Sequence, residues 1–323
     1  MEENTMKKHV FKRILEAIPM LLFISFISYI LMNLAPGDPA QGFRTPQMSE
    51  EQVAVIRASL GLDKPVFIRY FYWLKSTLSG NLGYSLITHQ PVAKEILSRL
   101  PATLGLMGAS MVLSILISIP LGMYTALNKN KFIDNFVSTL SYIGISIPSF
   151  WFSMILITIF ALKLRLLPSV GMRTIGVNSF LDVLKHGILP TVVLSFPNSA
   201  VLTRYVRSAT IGELQEDYIV TAMAKGLSKR GILFKHVMKN SLIPIITILG
   251  MSLPSLVSGA FITETVFGWP GMGRLGINSI FSMDYPVIMA ITMMTSIMVI
   301  LGNLISDLLY IVVDPRIKVV GHK

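Results

Sequence analysis

The sequence predicts an all-α integral membrane protein with about six transmembrane helices, and three observations carry that prediction. Of the 323 residues, 52% are apolar and 14% charged, against roughly 25% charged in a soluble domain. The apolar residues form uninterrupted blocks of roughly twenty rather than one-sided stripes. Lys and Arg gather in alternate connections between these blocks, as they do on the cytoplasmic side of a membrane.

The first block runs from about Ile14 to Ala35, behind Lys7, Lys8, Lys12 and Arg13. It is longer than the apolar core of a signal peptide, and no A-x-A-like cleavage site follows it. Residues 1–35 therefore read as a cytoplasmic N-terminus and a retained first span.

Residues 36–103 read as a small extracytoplasmic helical segment. Ser49 and Gln52 have the spacing of a capping box, with Glu50 and Glu51 favourable in the first turn. That helix would stop near Gly61, which suits a left-handed position. Pro65 fits the start of a second helix carrying Phe67, Tyr70, Phe71, Trp73 and Leu74, of which Tyr and Trp favour the membrane–water interface. Pro91 opens a third helix leading into the second span. The segment reads equally as a cap on the outer surface or as a plain connector.

Residues 104–323 form the core, with apolar blocks at about 104–127, 136–162, 188–206, 243–267 and 286–313. Pro120, Pro148, Pro197 and Pro254 lie in or near these blocks and predict interrupted helices, because proline removes an intrahelical hydrogen bond. Sixteen of the 28 Lys and Arg residues fall on the segments placed inside, and five on the two short outer loops. The other seven lie in 36–103, which is long enough to be exempt from the rule. Both termini are thus expected in the cytoplasm. The same bias accounts for the net charge of +11 without a nucleic-acid partner. Zero cysteines excludes disulfides, thiolate catalysis and Cys-ligated metal.

Glu264 lies near the outer end of the fifth block, and Asp307 about two turns from the inner end of the sixth. A carboxylate there faces water or a partner, so each is a candidate pathway or gate residue. For Asp307 the preferred reading is an interhelical hydrogen bond that fixes packing, or an interface with a second subunit; Glu264 is open. Nucleotide motifs fail. Gly271-x-Gly273-x-x-Gly276 matches a dinucleotide fingerprint as a string but has no preceding strand. Gly226 and Gly231 have phosphate-loop spacing, yet Ile232 and Leu233 stand where Lys and Ser or Thr are required. The five histidines are scattered, and no catalytic cluster is visible.

The loop 207–242 is the most informative stretch. Asp217 can cap a short helix that Gly226 stops. On it Tyr218, Thr221, Ala222 and Lys225 share one face at helical spacing. Small residues on that face suit close docking into another protein. Ser228 can cap a further helix, whose Ile232, Leu233, Val237 and Met238 suit the membrane surface. A solvated basic turn is the competing reading of the whole loop.

The run Asp217-Tyr218-Ile219-Val220-Thr221-Ala222-Met223-Ala224-Lys225-Gly226-Leu227, followed by Asn240-Ser241-Leu242-Ile243-Pro244, resembles the coupling loop of binding-protein-dependent ABC permeases of the dipeptide, oligopeptide and nickel branch. Val220 and Thr221 replace the general Glu-Ala opening of that motif, as is usual in the peptide branch. Further matches are Ala35-Pro36-Gly37-Asp38-Pro39, Gly61-Leu62-Asp63-Lys64-Pro65, Asp314-Pro315-Arg316 and the run from Glu264 to Gly273.

The resemblance implies a permease subunit in the bacterial cell membrane that forms half of a pathway for short peptides. It implies a second, related permease subunit, two cytoplasmic ATPases docked on the coupling helices, and an external solute-binding protein. ATP and magnesium are expected in the ATPases, with no cofactor in this chain. Uptake of nickel or a metal chelate is the alternative substrate reading. A self-sufficient secondary transporter would need ion-coupling groups, for which only the carboxylates of Glu264 and Asp307 are candidates, and often shows paired broken helices in two halves, whereas no internal repeat is visible here.

Overall fold

The computed structural model describes residues 2–34, 48–59, 63–233, 237–241, 248, 250 and 252–313; the side chains at 2–11, 14, 56, 59, 229–230, 239–240 and 307–313 stand outside that description. The described chain is helical, with an isolated bridge between Tyr84 and Pro91 as its one piece of extended pairing. In order, the helices are α1 (Glu2–Leu34), α2 (Glu50–Ser59), α3 (Val66–Leu78), α4 (Val92–Leu127), α5 (Phe132–Ser146), α6 (Ser149–Leu156), α7 (Phe180–Glu213) and α8 (Asp217–Ala224). There follow α9 (Lys229–Ile232), α10 (Met238–Ser241), α11 (Leu253–Ser258), α12 (Phe261–Val266), α13 (Met272–Phe281) and α14 (Tyr285–Val313).

Four helical stretches are individually long and apolar enough to cross a membrane: Leu15–Leu34, Val92–Leu127, Phe180–Glu213 and Tyr285–Ser306. The block 136–162 is not one straight span. Its halves, Phe132–Ser146 and Ser149–Lys163, meet at 105°. The break lies where Ile147 takes an extended conformation, ψ 125°, ahead of Pro148; proline disfavours helical geometry in the residue before it. Beyond the bend, α6 widens into a π-helix over Ile157–Lys163. The other prolines behave differently from expectation: α7 runs unbroken through Pro190 and Pro197, and α4 through Pro120. Residues 243–247, 249 and 251 of the block 243–267 lie outside the described residues; the rest includes α11 and α12, separated at Gly259 with φ +79°.

The chain divides into two compact units. One comprises Met1–Thr103, Val257–Phe261 and Pro270–Ile300. In it Ser49 and Gln52 form the expected capping box, Ser49 N donating to Gln52 Oε1 at 2.9 Å and Gln52 N to Ser49 Oγ at 3.3 Å. The stop expected at Gly61 falls outside the described residues. Pro65 precedes α3 as its cap residue. Of the aromatics on α3, Tyr70 turns inward, its hydroxyl 2.8 Å from Ser25 Oγ and its ring edge-on to Phe26 of α1. Phe67 and Phe71 stay exposed. Pro91 opens α4 as expected, with Lys94 N and Glu95 N bonding its carbonyl, and the helix runs unbroken into the span. A core of Val92, Ile96, Met272, Val287, Ala290 and Ile291 holds the unit. The buried carboxylate of Asp284 accepts from Ser85 Oγ and, at 3.1 Å, from Leu86 N, fixing the turn before α4.

Gly273 and Gly276 belong to this unit and explain the fingerprint-like string. A Cβ on Gly273 would sit 2.7 Å from Phe261 N, and one on Gly276 2.8 Å from Phe261 Cε1. These glycines let α13 pack onto the start of α12.

The other unit comprises Leu104–Leu256, Ile262–Trp269 and Leu301–Lys323. Its centre is α7, which α4 approaches at Gly122 and α5 at Gly144. A Cβ on Gly122 would come within 2.6 Å of Val206 Cβ, and one on Gly144 within 3.2 Å of Ala200 Cβ. Small residues at such crossings bring helix backbones together where no hydrophobic force acts between helices in lipid.

Candidate functional site

The short helix α8 follows α7 after a turn, and the hydroxyl of Tyr218 donates to Glu213 at the end of α7. Its N-cap is Glu216, with φ −72° and ψ 144°, and Asp217 is the first helical residue rather than the cap. Asp217 still places a carboxylate in the first turn, where the exposed N–H groups favour negative charge. At the other end Gly226 has φ +77°. Its N–H bonds Met223 O at 2.9 Å, and Leu227 N bonds Ala222 O at 3.3 Å. These two bonds make a Schellman stop, which calls for a residue that accepts the left-handed region.

The face expected to hold Tyr218, Thr221, Ala222 and Lys225 together is divided by the structure. Tyr218, Thr221 and Lys225 are exposed. Ala222 is 7% exposed and packs with Ile219, Ile232, Leu233, Val237 and Val206. The reason is tertiary: with Ile219 at i−3, Ala222 completes the apolar stripe of an eight-residue helix, and this stripe is drawn into the core. The outward apolar residues are instead Val220, Met223 and Leu227, at i, i+3 and i+7. Ser228 caps the next turn as expected, accepting from Gly231 N at 3.2 Å. Ile232, Leu233 and Val237 join the same core, so that segment packs on the protein rather than lying on a membrane surface.

Glu264 sits on α12 with no exposed surface. It is enclosed beside Thr263, Phe267 and Trp269, which are also buried. Its helix ends in a second Schellman stop. Gly268, φ +60°, bonds Thr265 O at 3.2 Å, and Trp269 N bonds Glu264 O at 2.8 Å. Phe267 anchors this turn among Leu156, Leu189 and Val193. Asp307 lies on α14, but its side chain is outside the described residues.

Sequence reasoning missed a polar stripe on α7. Asn198, Arg204, Tyr205 and Ser208 are exposed, with Val201 completing the 3–4 spacing. The signal was present, because Arg204 lies inside the apolar block 188–206. A groove of about 560 Å³ runs between α5 and α7 along this stripe, lined by Ser138, Tyr142, Arg204, Tyr205, Arg207 and Ser208. Val201 also lines a second cleft, of about 270 Å³, where α4 and α7 present Ser110, Ser114 and Asn198 and the segment 252–256 presents Ser252 and Ser255. Arg207 is paired bidentately with the buried Asp134, at 2.5 and 2.7 Å. Arg204 lies over the ring of Tyr142, 4.5 Å from its centroid.

Comparison with known proteins places these features in a family. Residues 118–319 match the family described as binding-protein-dependent transport system inner membrane component. Residues 6–107 match the N-terminal membrane component of the same systems. The chain is 41% identical over 315 residues to the oligopeptide transport system permease protein AppB of Bacillus subtilis, covering 97% of this chain and 100% of that one. It is 36% identical over 313 residues to the glutathione transport system permease protein GsiC of Salmonella typhimurium, covering 97% and 99%. Matched by the family model over more than half of its length and built on apolar membrane-crossing helices, the chain belongs to the inner membrane components of binding-protein-dependent transport systems.

Proposed function

We propose that this chain is one of two related permease subunits of an ABC importer for short peptides, and that α8 is its coupling helix. The observation that carries the reading is end-to-end similarity to an oligopeptide permease, with α8 lying in the run that resembles the family's coupling loop. An external binding protein delivers the peptide, and the two permease chains enclose its path. Two cytoplasmic ATPases hold ATP and magnesium and dock one on each coupling helix. The named relatives carry oligopeptides and glutathione, which favours a peptide over a nickel chelate.

The docking surface on α8 is its outward side, Val220, Met223 and Leu227 with Thr221 and Lys225 at the edge. The inward pair Ile219 and Ala222 ties α8 to the end of α7, so displacement of the helix is passed to the spans. Glu264, being enclosed, serves packing around the Gly268 turn in this state rather than lining an open path. The charge bias supports a cytoplasmic side for both termini and for α8. Asp307 remains a packing candidate on the last span.

Two measurements test the reading. Single cysteines at Ser49 and Asn178 should react with an impermeant thiol reagent from outside, and those at Asn128 and Ser228 only after permeabilisation. In proteoliposomes, uptake of a radiolabelled tripeptide should require the second permease, the ATPases and ATP. Peptide uptake by this chain alone on an ion gradient would reject it.

A further inference from the structure

The exposed stripe Asn198, Arg204, Tyr205 and Ser208 lies on a helix apolar enough to cross a membrane. An arginine on such a helix is rarely left facing hydrocarbon, and polar positions at helical spacing mark a surface turned to water or protein. The two arginines of this surface differ in state. Arg207 has both oxygens of Asp134 on its guanidinium. Arg204 pairs with no carboxylate among the described residues; the ring of Tyr142 supports its flat face at 4.5 Å. Stacking in this way fixes the plane of a guanidinium while leaving its N–H edge open, and that edge matches a planar, two-oxygen anion. Ser138, Tyr205 and Ser208 add hydroxyls to the same groove, whose volume of about 560 Å³ lies in the range that holds small ligands.

From this geometry we infer that the groove between α5 and α7 is a hydrated stretch of the path and that Arg204 is a specificity-determining residue in it, taking the carboxylate of a passing peptide. The inference rests on the peptide-importer reading and deepens it. Asp134 has a supporting part: by occupying Arg207 it leaves a single open guanidinium, so a carboxylate is held by one arginine and not trapped by two. Tyr142 holds that guanidinium toward the groove.

The absence of cysteine makes a labelling test direct. Ser208→Cys, one turn from Arg204, is placed in the complete transporter with cysteine-free partner subunits. It is then treated with anionic sulfonatoethyl and cationic trimethylammonioethyl methanethiosulfonates. With each rate taken relative to that reagent's own rate with a small thiol in water, the anionic reagent should be favoured by about tenfold, the effect of one unit charge a helical turn away on reagents of opposite sign. Arg204→Gln should abolish that preference and Arg204→Lys should keep it. A tripeptide with a free C-terminus should slow labelling more than its amide does. An unreactive thiol in the assembled Ser208→Cys complex would mean that lipid or the second permease covers the groove, and overturns the proposal. So would equal relative rates for the two reagents, each referred to the small thiol in water, or equal protection by acid and amide. Uptake of the free tripeptide by the complete parent transporter, with Ser208 in place and no reagent added, separates the two readings: normal uptake with charge-blind labelling of the cysteine variant removes only the role of Arg204, while absent uptake removes the peptide-importer reading itself.

Discussion

Arg207 grips Asp134 through two parallel hydrogen bonds, Nε to Oδ1 at 2.5 Å and Nη2 to Oδ2 at 2.7 Å, and so ties α7 to α5. Asp134 is 1% exposed and also accepts from Asn130 N at 2.8 Å, which fixes the turn before α5. Removing the arginine strands a buried carboxylate. Arg207→Ala should therefore destabilise the protein by about 3 kcal/mol, the low end for a broken buried pair because Arg207 is partly exposed. Thermal unfolding in detergent measures it. The double variant Asp134→Asn, Arg207→Gln should be less destabilised than the two single changes combined; strict additivity would show that the pair is not coupled.

Gly226 is a conformational requirement and not a spatial one. No atom lies within 4 Å of where its Cβ would be, yet its φ is +77°. Gly226→Val should cost about 1–2 kcal/mol of local strain, whereas Gly226→Asn, which enters the left-handed region more readily, should cost less. The expected pattern is normal membrane insertion for both, with peptide-stimulated ATP hydrolysis reduced in the valine variant and largely kept in the asparagine one. Equal activity of the two would remove the Schellman stop from the coupling mechanism.

The division of α8 into inward and outward sides separates two kinds of damage. Ala222→Arg puts a charge into the core of Val206, Ile219 and Val237, so it should lower thermal stability as well as uptake. Val220→Asp or Met223→Asp leaves that core untouched. Either should leave stability within about 0.5 kcal/mol of the parent, as surface changes do, while reducing co-purification of the ATPase subunits. ATPase retention by both outward variants, with loss only in Ala222→Arg, would return the docking role to the inward face.

Gly273 and Gly276 differ in what a methyl group would meet. At Gly273 it is backbone, Phe261 N at 2.7 Å and Cα at 2.9 Å; at Gly276 it is the ring of Phe261 at 2.8 Å. A ring can turn, but a backbone in a packed crossing moves less readily. Gly273→Ala should cost about 1–3 kcal/mol, the usual range for overpacking, and Gly276→Ala less, read as the difference in melting temperature between the purified variants.

The features legible in the sequence were those whose partners lie within four residues. The Ser49–Gln52 box, the Ser228 cap and the left-handed Gly226 are of this kind, each satisfied by local backbone groups. What escaped depends on distant chain. Ala222 looked like an outward small residue until Val206 and Val237 came over it. Asp134 and Arg207 are 73 positions apart, and Ser85 and Asp284 are 199 apart. The prolines show the same limit. Pro148 breaks its helix because the chain there leaves helical geometry, while Pro120 and Pro197 are carried through, and the residue type is the same at all three.

The π-helix at Ile157–Lys163, closed by Leu164 N bonding Ile159 O at 2.9 Å, holds more residues per turn than the α-helix it extends. Such a widened turn is the form in which a helix absorbs an inserted residue without passing a rotation on to its neighbours. It therefore acts as a phase adjuster: Leu156 upstream keeps its seat against Leu189 and Val193, and Leu167 downstream reaches the same cluster. Excising one residue from this stretch would restore ordinary winding at the expense of that alignment, turning one side of the cluster about 100° away from the other.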